Sequence, residues 1–266
     1  IPILMYHGIS VNQGKKVYPY YETTTSQYIF EKHMRFLYEN NYTVLNINEV
    51  IKAIKSPNHV LRSGRRGKLV AITFDDGFRD FYTDAFTILQ KYGFTVTVFL
   101  PTDMINNQHT EFKEKEYLSW SEVQDLSSKG IIFGSHTVTH PKLILLQSTD
   151  IEYELRYSKE TIEDKLGKSV ESFSYPYAFP EENKEFRKYL RSILESSGYK
   201  NAVTTIIGTA KERDDRFFLK RIPINVYDDI PLFRAKIEGG YNWLHKPQYL
   251  YKLFSRLEKI STINHR

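Results

Sequence analysis

Short apolar runs rich in β-branched residues alternate along this chain with stretches in which hydrophobic side chains recur every three or four positions. The clearest apolar run extends from Leu69 to Phe74. A run of this length and composition predicts a strand buried on both faces, whereas the three-to-four spacing predicts amphipathic helices. Because the two kinds of segment alternate, the sequence predicts an α/β fold with a mainly parallel sheet.

The predicted strands and helices fill most of the chain up to about residue 224. Strands are expected at 3–6, 42–45, 69–74, 95–100, 131–133, 171–175, 202–204 and 217–224. Helices are expected at 26–40, 47–55, 81–92, from 121, at 149–166 and at 182–197. Two further helices are predicted within about 229–266. Since no internal repeat or linker stands out, one domain covering 1–266 is expected.

Composition then restricts the class of protein. The chain of 266 residues is 41% hydrophobic, which suits a globular core. It has no cysteine, which excludes disulfides and thiolate metal sites. No apolar run approaches the roughly 18–20 residues of a membrane span, so no integral membrane segment is expected. Because the chain begins at Ile1 without a leader, we interpret it as a trimmed or processed product.

The net charge of +5 raises the question of an anionic partner. The basic segment 62–68 could meet a nucleic acid or an anionic polymer, but a solvated loop before a strand is the favoured interpretation. No nucleic-acid-binding module is recognisable, so no nucleic-acid partner is predicted. The 20 tyrosines and 17 phenylalanines suit a core, and some could form surfaces on which sugars stack.

Candidate chemistry lies in two short motifs about sixty residues apart. Segment 73–77 has the sequence TFDDG, and segment 135–141 has the sequence SHTVTHP. Asp75 and Asp76 follow the clearest predicted strand, and as neighbours there their side chains point in different directions. One of them can therefore bind a metal ion while the other accepts a proton, although Asp-Gly alone is typical of a turn.

The second motif supplies two imidazoles four positions apart. His136 and His140 can converge on one ion if the backbone between them turns helically, whereas an isolated pair of this spacing is weak evidence. Imidazole and carboxylate without thiolate suit zinc or a similar first-row ion, and three protein ligands leave a position for water. Because both motifs lie at predicted strand ends, we favour a hydrolytic metal site.

Further positions are candidates for the same site. His7 directly follows the first strand and is either an acid–base group or a partly buried structural histidine. Tyr175 and Tyr177 flank a proline at a strand end and could line a groove, and the backbone N–H after the proline could bind an oxyanion. Arg221 lies in a predicted strand, either at an edge or paired with a carboxylate. The other histidines are interpreted as structural or solvated: His33, His59, His109, His245 and His265.

These motifs resemble a known family. Segments 73–77 and 135–141 are similar to the first two signature motifs of the NodB-homology polysaccharide deacetylases, carbohydrate esterase family 4. The opening LMYHG at 4–8, together with 173–177 and 220–222, resembles a circularly permuted branch that includes the biofilm poly-β-1,6-N-acetylglucosamine deacetylases. The resemblance spans about 1–224.

The resemblance implies a distorted (β/α)7 barrel that binds a divalent metal, with zinc favoured over cobalt, nickel or iron. It implies Asp75 as the general base, His7 as the general acid and the Tyr177 backbone amide as an oxyanion donor. The metal ligands would be Asp76, His136 and His140. The substrate would contact Tyr6, Tyr175 and Tyr177.

Two positions depart from the family pattern. The third family motif usually begins with an arginine near the base, but this chain has Ser174 there, and Arg221 is expected to provide the charge from another strand. The family's Asp-Trp motif is absent, because neither Trp120 nor Trp243 follows an aspartate. What orients His7 therefore stays open.

Together these features predict a metal-dependent N-deacetylase for N-acetylhexosamine residues of a cell-surface or extracellular polysaccharide. We expect it to work outside the cell as a monomer. One alternative is a metal amidohydrolase for a small amide, which a deep blind pocket would favour over an open groove. Another is a glycan-binding homologue without activity, against which the complete set of candidate residues argues.

Overall fold

Parallel strands that pair around a closed ring form the centre of the molecule. The computed structural model describes residues 1–10, 23–55, 67–106 and 115–251. The strands in these ranges are β1 (Ile3–Tyr6), β2 (Gly8–Ile9), β3 (Thr24–Thr25), β4 (Tyr42–Leu45), β5 (Lys68–Phe74), β6 (Thr97–Leu100), β7 (Ile132–Ser135), β8 (Ser172–Ser174), β9 (Asn201–Ile207) and β10 (Leu219–Pro223).

Seven of the described strands close a barrel. Neighbours pair in the order β1-β10-β9-β8-β7-β6-β5, and β1 also pairs with β5 to complete the ring. Every one of these pairings is parallel. β4 lies beside the first half of β5, while β1 lies beside its second half. The predicted α/β barrel with seven parallel strands is therefore confirmed.

Helices separate most of the consecutive barrel strands along the chain. They are α1 (Gln27–Glu39), α2 (Ile47–Lys55), α3 (Phe86–Tyr92), α4 (Trp120–Ser128), α5 (Ser148–Leu166), α6 (Lys184–Ser196) and α7 (Ile230–Ile237). A π-helical turn at Phe81–Ala85 leads into α3. The bounds predicted from the sequence agree within a few residues.

Several segments singled out in the sequence lie outside the described residues. They are positions 62–66 of the basic segment, three histidines at His59, His109 and His265, and the end of the second predicted C-terminal helix, which is described only over 245–251. Within the described part, no helix is both long enough and apolar enough to cross a membrane.

Alternation along the barrel strands creates an apolar layer in the interior. Ile3, Ala71, Phe99, Val203 and Leu219 belong to one buried cluster, whereas their neighbours along the strands belong to a larger cluster shared with the helices. Because side chains alternate between the two faces of a strand, the first set faces the inside of the barrel.

The same alternation places polar residues inside the barrel at the carboxyl ends of the strands. The inward positions after Ala71 are Thr73 and Asp75, and the position after Leu219 is Arg221. Arg221 is fully buried and Asp75 is 2% exposed. The barrel therefore has an apolar floor beneath a charged layer, and the candidate chemistry lies in that layer, as is usual for barrels of this architecture.

Candidate active site

Arg221 lies inside the barrel with all five of its N–H donors engaged. Nη1 and Nη2 donate to Oδ1 and Oδ2 of Asp75, each at 2.7 Å. The other donors reach Thr73 Oγ1 at 3.1 Å, Ser174 Oγ at 3.0 Å and the Thr204 carbonyl oxygen at 2.9 Å. A buried guanidinium needs full hydrogen bonding and a bidentate partner of this kind. Arg221 thus lies beside Asp75, as the sequence predicts.

This pairing sets the protonation state of Asp75. Burial by itself would raise the pKa of the carboxyl, but the Arg221 guanidinium, with help from His136, outweighs burial and holds the pKa below its usual value. Ser174 Oγ also donates to Asp75 Oδ2 at 3.2 Å. Oδ2 therefore accepts two hydrogen bonds and Oδ1 accepts one, which leaves Oδ1 able to take a further proton.

The neighbouring carboxyl, Asp76, faces the two imidazoles instead. Its Oδ1 lies 3.5 Å from His136 Nε2 and 3.3 Å from His140 Nε2. His136 Nδ1 donates to the Ser174 carbonyl oxygen at 2.8 Å, which fixes the ring with Nε2 toward Asp76. One donor atom from each of the three residues lies within 4.8 Å of the others. Two imidazole nitrogens and a carboxylate match a zinc-type donor set, so these residues fit a divalent metal.

A turn, and not a helix, brings the two imidazoles together. Their ring centroids lie 4.8 Å apart in a T-shaped arrangement. Thr137 and His140 have left-handed φ values of 71° and 57°, and 136–140 contains no helical residue. The two imidazoles therefore converge without a helical turn, because left-handed residues reverse the chain within these few positions.

Left-handed backbone is concentrated at this site. Among the described residues, six non-glycine positions have a positive φ, and four of them lie here: Asp76, Thr137, His140 and Tyr177. Conformations of this kind cost free energy and persist where the surrounding structure holds them, most often at functional sites. The left-handed φ of 73° at Asp76 also explains why two adjacent aspartates address different partners.

Glu154 of α5 holds the loop between the two histidines. Its Oε2 accepts the backbone N–H groups of Val138 at 2.7 Å and Thr139 at 3.0 Å, and its Oε1 accepts the Thr139 hydroxyl at 2.7 Å. Residue type alone does not distinguish Glu154, because α5 carries many charged residues that a solvated helix face would also have. A signal was available, since Glu154 shares the buried face of the helix with Ile151 and Leu155.

His7 reaches the site through strand register. β1 pairs with β5 so that Tyr6 lies opposite Phe74, and the Asp75 N–H donates to the Tyr6 carbonyl oxygen at 3.0 Å. His7 therefore lies beside the two aspartates. For both carboxyls burial acts to raise the pKa, and a protonated His7 is among the groups that lower it. Closure of the barrel thus joins residue 7 to a motif almost seventy positions away.

Two of the tyrosines predicted to contact substrate are buried. Tyr6 is fully buried, and its hydroxyl donates to His33 Nδ1 at 2.9 Å. Tyr175 is 2% exposed and packs against Phe179 and Phe218. Strand alternation turns both rings away from the barrel interior and into the layer beneath the helices. The predicted substrate contacts of Tyr6 and Tyr175 are therefore wrong.

Tyr177, in contrast, lies at the surface of the site. It is 39% exposed, and its ring centroid lies 4.8 Å from that of His140. Lys142 Nζ lies 5.2 Å from the same ring. Within the described part of the chain the Tyr177 backbone N–H donates to no acceptor, so it is available to a ligand.

Comparisons with known proteins agree with this arrangement. A family model described as polysaccharide deacetylase matches residues 62–202. YxkH of Bacillus subtilis, whose name assigns it to the polysaccharide deacetylases, is 31% identical over 242 residues, which cover 90% of this chain and 76% of that protein. The poly-β-1,6-N-acetyl-D-glucosamine N-deacetylase of Staphylococcus epidermidis is 25% identical over 185 residues, which cover 66% of this chain and 61% of that protein.

Solved structures share the fold. The Streptococcus pyogenes deacetylase PplD, in complex with acetate, superimposes with a TM-score of 0.75 at 24% identity, over 89% of this chain and 97% of its own. BC0361, a polysaccharide deacetylase from Bacillus cereus, superimposes with a TM-score of 0.70 at 27% identity, over 89% of this chain and 68% of its own.

Proposed function

Because the chain belongs to the polysaccharide deacetylase family, we propose that it is a metal-dependent N-deacetylase for N-acetylhexosamine residues of a polysaccharide. It is an enzyme of the hydrolase class. One observation carries the proposal: an arginine-held carboxylate, Asp75, lies next to the donor set Asp76, His136 and His140 at one end of the barrel. A proton acceptor beside a metal-binding set is what hydrolysis of an amide by water requires.

Asp76, His136 and His140 would hold the ion, and zinc is the ion that we propose. The same donors also suit cobalt, nickel or iron. When bound, such an ion polarises the acetyl carbonyl and lowers the pKa of water toward about 7. The Ser174 carbonyl oxygen that accepts from His136 Nδ1 supports this assignment, because it presents Nε2 as the ligand atom.

The proton transfers belong to the chain itself. Asp75 takes a proton through Oδ1 as water attacks the acetyl carbon, while Arg221 keeps that carboxylate ionised and oriented. The Tyr177 N–H donates to the acetyl oxygen as negative charge develops there. His7 then gives a proton to the nitrogen of the departing amine. The products are acetate and a sugar with a free amine.

A glycan substrate fits the site better than a small amide. Tyr177 presents a partly exposed aromatic ring directly beside the donor set, and such rings suit the C–H face of a sugar. One relative is named for poly-β-1,6-N-acetyl-D-glucosamine, so we propose a β-1,6-linked glycan of the cell surface or the extracellular space. Because one chain provides every candidate residue, we propose a monomer with a single domain over 1–266.

The test is acetate release from short β-1,6-linked and β-1,4-linked N-acetylglucosamine oligomers, with metal analysis of the same sample. We expect acetate and free amines in equal amounts, with faster release from the β-1,6-linked oligomers. Hydrolysis of a small aryl acetamide without any release from the oligomers would favour the amidohydrolase alternative. Oligomer binding without acetate release by the metal-loaded protein would favour the inactive homologue.

A further inference from the structure

A short extended segment before α4 carries a tyrosine to the candidate active site. Tyr117 pairs with Phe78 in an antiparallel bridge, two positions after Asp76. Backbone hydrogen bonds of 2.9 Å lie on both sides of this bridge and join 116–118 to 77–79. The segment that carries Tyr117 is therefore tied directly to the motif that carries the two aspartates.

The Tyr117 ring packs against Phe78, and Lys115 contacts the same Phe78 ring. Its centroid lies 5.4 Å from that of Phe78, and the residue is only 9% exposed. Two positions earlier, Lys115 Nζ pairs with Asp80 at 3.1 Å and lies 4.9 Å from the Phe78 ring. A ring held in this way is preorganised, so little conformational entropy is lost when it meets a ligand.

The bridge to Phe78 places Tyr117 close to the motif that carries Asp75 and Asp76. Burial, and after it the charges of Asp76 and Tyr177, raises the pKa of Tyr117, so the hydroxyl stays protonated. It makes no hydrogen bond with the described part of the chain. A tyrosine hydroxyl that has no partner within the protein can hydrogen-bond to a ligand.

We propose that Tyr117 is a substrate-binding residue whose hydroxyl hydrogen-bonds to a ring hydroxyl of the hexosamine that bears the reacting amide. This inference rests on the proposed function. The oxygen and the nitrogen of the amide already have partners, since the Tyr177 N–H and His7 are assigned to them, and Asp75 is assigned to the attacking water. The part of the substrate that still lacks a partner is the sugar ring, which has hydroxyl groups and an apolar C–H face. A tyrosine offers both an aromatic face and a hydroxyl to such a ring.

The experiment compares two substrates in the metal-loaded enzyme. One is a β-1,6-linked N-acetylglucosamine oligomer, and the other is 4-nitrophenyl acetate, which presents an acetyl group without a sugar. In Tyr117→Phe we expect kcat/KM for the oligomer to fall about 3- to 10-fold, the effect of one neutral hydrogen bond. Activity on the aryl ester and the bound metal should stay unchanged. Tyr117→Ala, which also removes the ring, should lose more on the oligomer.

A matched control is Tyr82→Phe, because the Tyr82 hydroxyl donates to Asp125 at 3.2 Å on a helix away from the site. It should leave both activities unchanged. Wild-type rates of Tyr117→Phe on the oligomer would overturn the inference, and so would equal losses on both substrates. Failure of the wild-type enzyme to release acetate from any oligomer would overturn the proposed function first, and the sugar contact with it.

Discussion

Two buried histidines in different regions of this molecule show that burial alone does not decide whether an imidazole belongs to a functional site. His136 lies in the charged layer of the barrel and is 2% exposed. His33 of α1 is fully buried, where its Nδ1 accepts the Tyr6 hydroxyl at 2.9 Å and its Nε2 donates to the Asp228 carbonyl oxygen at 2.6 Å. The His33 ring stacks on Phe233 with centroids 4.0 Å apart. One imidazole belongs to a site and the other to a packed interior.

Their pKa values move in opposite directions. Burial lowers the pKa of His33 to about 4. At His136 burial acts in the same direction, but the carboxylates of Asp75 and Asp76 outweigh it and raise the pKa. A buried imidazole is therefore a candidate ligand where carboxylates outweigh the effect of burial on its pKa, and a packing residue where burial dominates.

The largest effect is expected when His136 in the candidate active site is replaced. His136→Ala should abolish metal binding and acetate release, because two donors remain where a catalytic zinc site needs three. Metal analysis after dialysis and acetate release from the oligomer measure this. His245→Ala is a suitable control, since His245 pairs with Glu181 instead of with the site. One ion per chain in His136→Ala, bound as tightly as in the wild type, would remove His136 from the ligand set.

The next effect separates the two aspartates. Asp75→Asn should lower turnover about 10²- to 10⁴-fold while metal binding stays close to that of the wild type, because Asp75 is assigned to proton transfer. Asp125→Asn, which alters an exposed carboxylate paired with Lys129, should change neither quantity. Near-normal turnover by metal-loaded Asp75→Asn would exclude Asp75 as the base.

The interior histidine should make stability sensitive to acid. The unfolded chain binds a proton at His33 near pH 6.5, whereas the folded chain resists protonation down to a pKa of about 4. Stability should therefore fall by about 3 kcal/mol through this group as the pH drops across that interval. Urea unfolding of the wild type and His33→Gln at pH 7 and pH 4.5 isolates the contribution. An equal pH dependence in both proteins would contradict this assignment.

The smallest effect is expected at the loop that joins the two ligand histidines. Glu154→Ala removes the acceptor for two backbone N–H groups and a hydroxyl, so metal affinity should fall about 10- to 100-fold. Glu154→Gln should lose less, because its amide oxygen can still accept both N–H groups and Thr139 can accept from its amide nitrogen. Competition with a chromogenic chelator measures the affinity. A metal affinity equal to that of the wild type in Glu154→Ala would show that the loop between His136 and His140 keeps its conformation without Glu154.

Much of the fold, and the three residues of the donor set, could be predicted from the sequence. Runs such as 69–74 have strong patterns, and the two motifs combine residue types with a spacing that few structural elements require. The local backbone path between the two ligand histidines could not be predicted from the sequence. The reversal between His136 and His140 depends on left-handed φ at Thr137 and His140, which are not glycines. Residue type therefore carried no signal for it.

Features that depend on contacts between distant parts of the chain were the hardest to predict from the sequence. Tyr6 and Tyr175 face either a cleft or the helices, depending on which face of its strand each one occupies in the closed barrel. That face follows only from how β1 pairs with β5 and β8 with β9. Tyr117 lies between the strand predicted at 95–100 and the helix predicted from 121, where no periodic pattern indicates a role. Its importance comes from one bridge to Phe78, which joins positions almost forty residues apart.

Metal titration of the chelated enzyme, with acetate release from the β-1,6-linked oligomer as the readout, tests the central claim most directly. We predict that activity is absent after chelation and rises in proportion to added zinc until one ion is bound per chain. His136→Ala should show no rise under the same conditions. Full acetate release by the metal-free protein, or equal recovery in His136→Ala, would contradict the account.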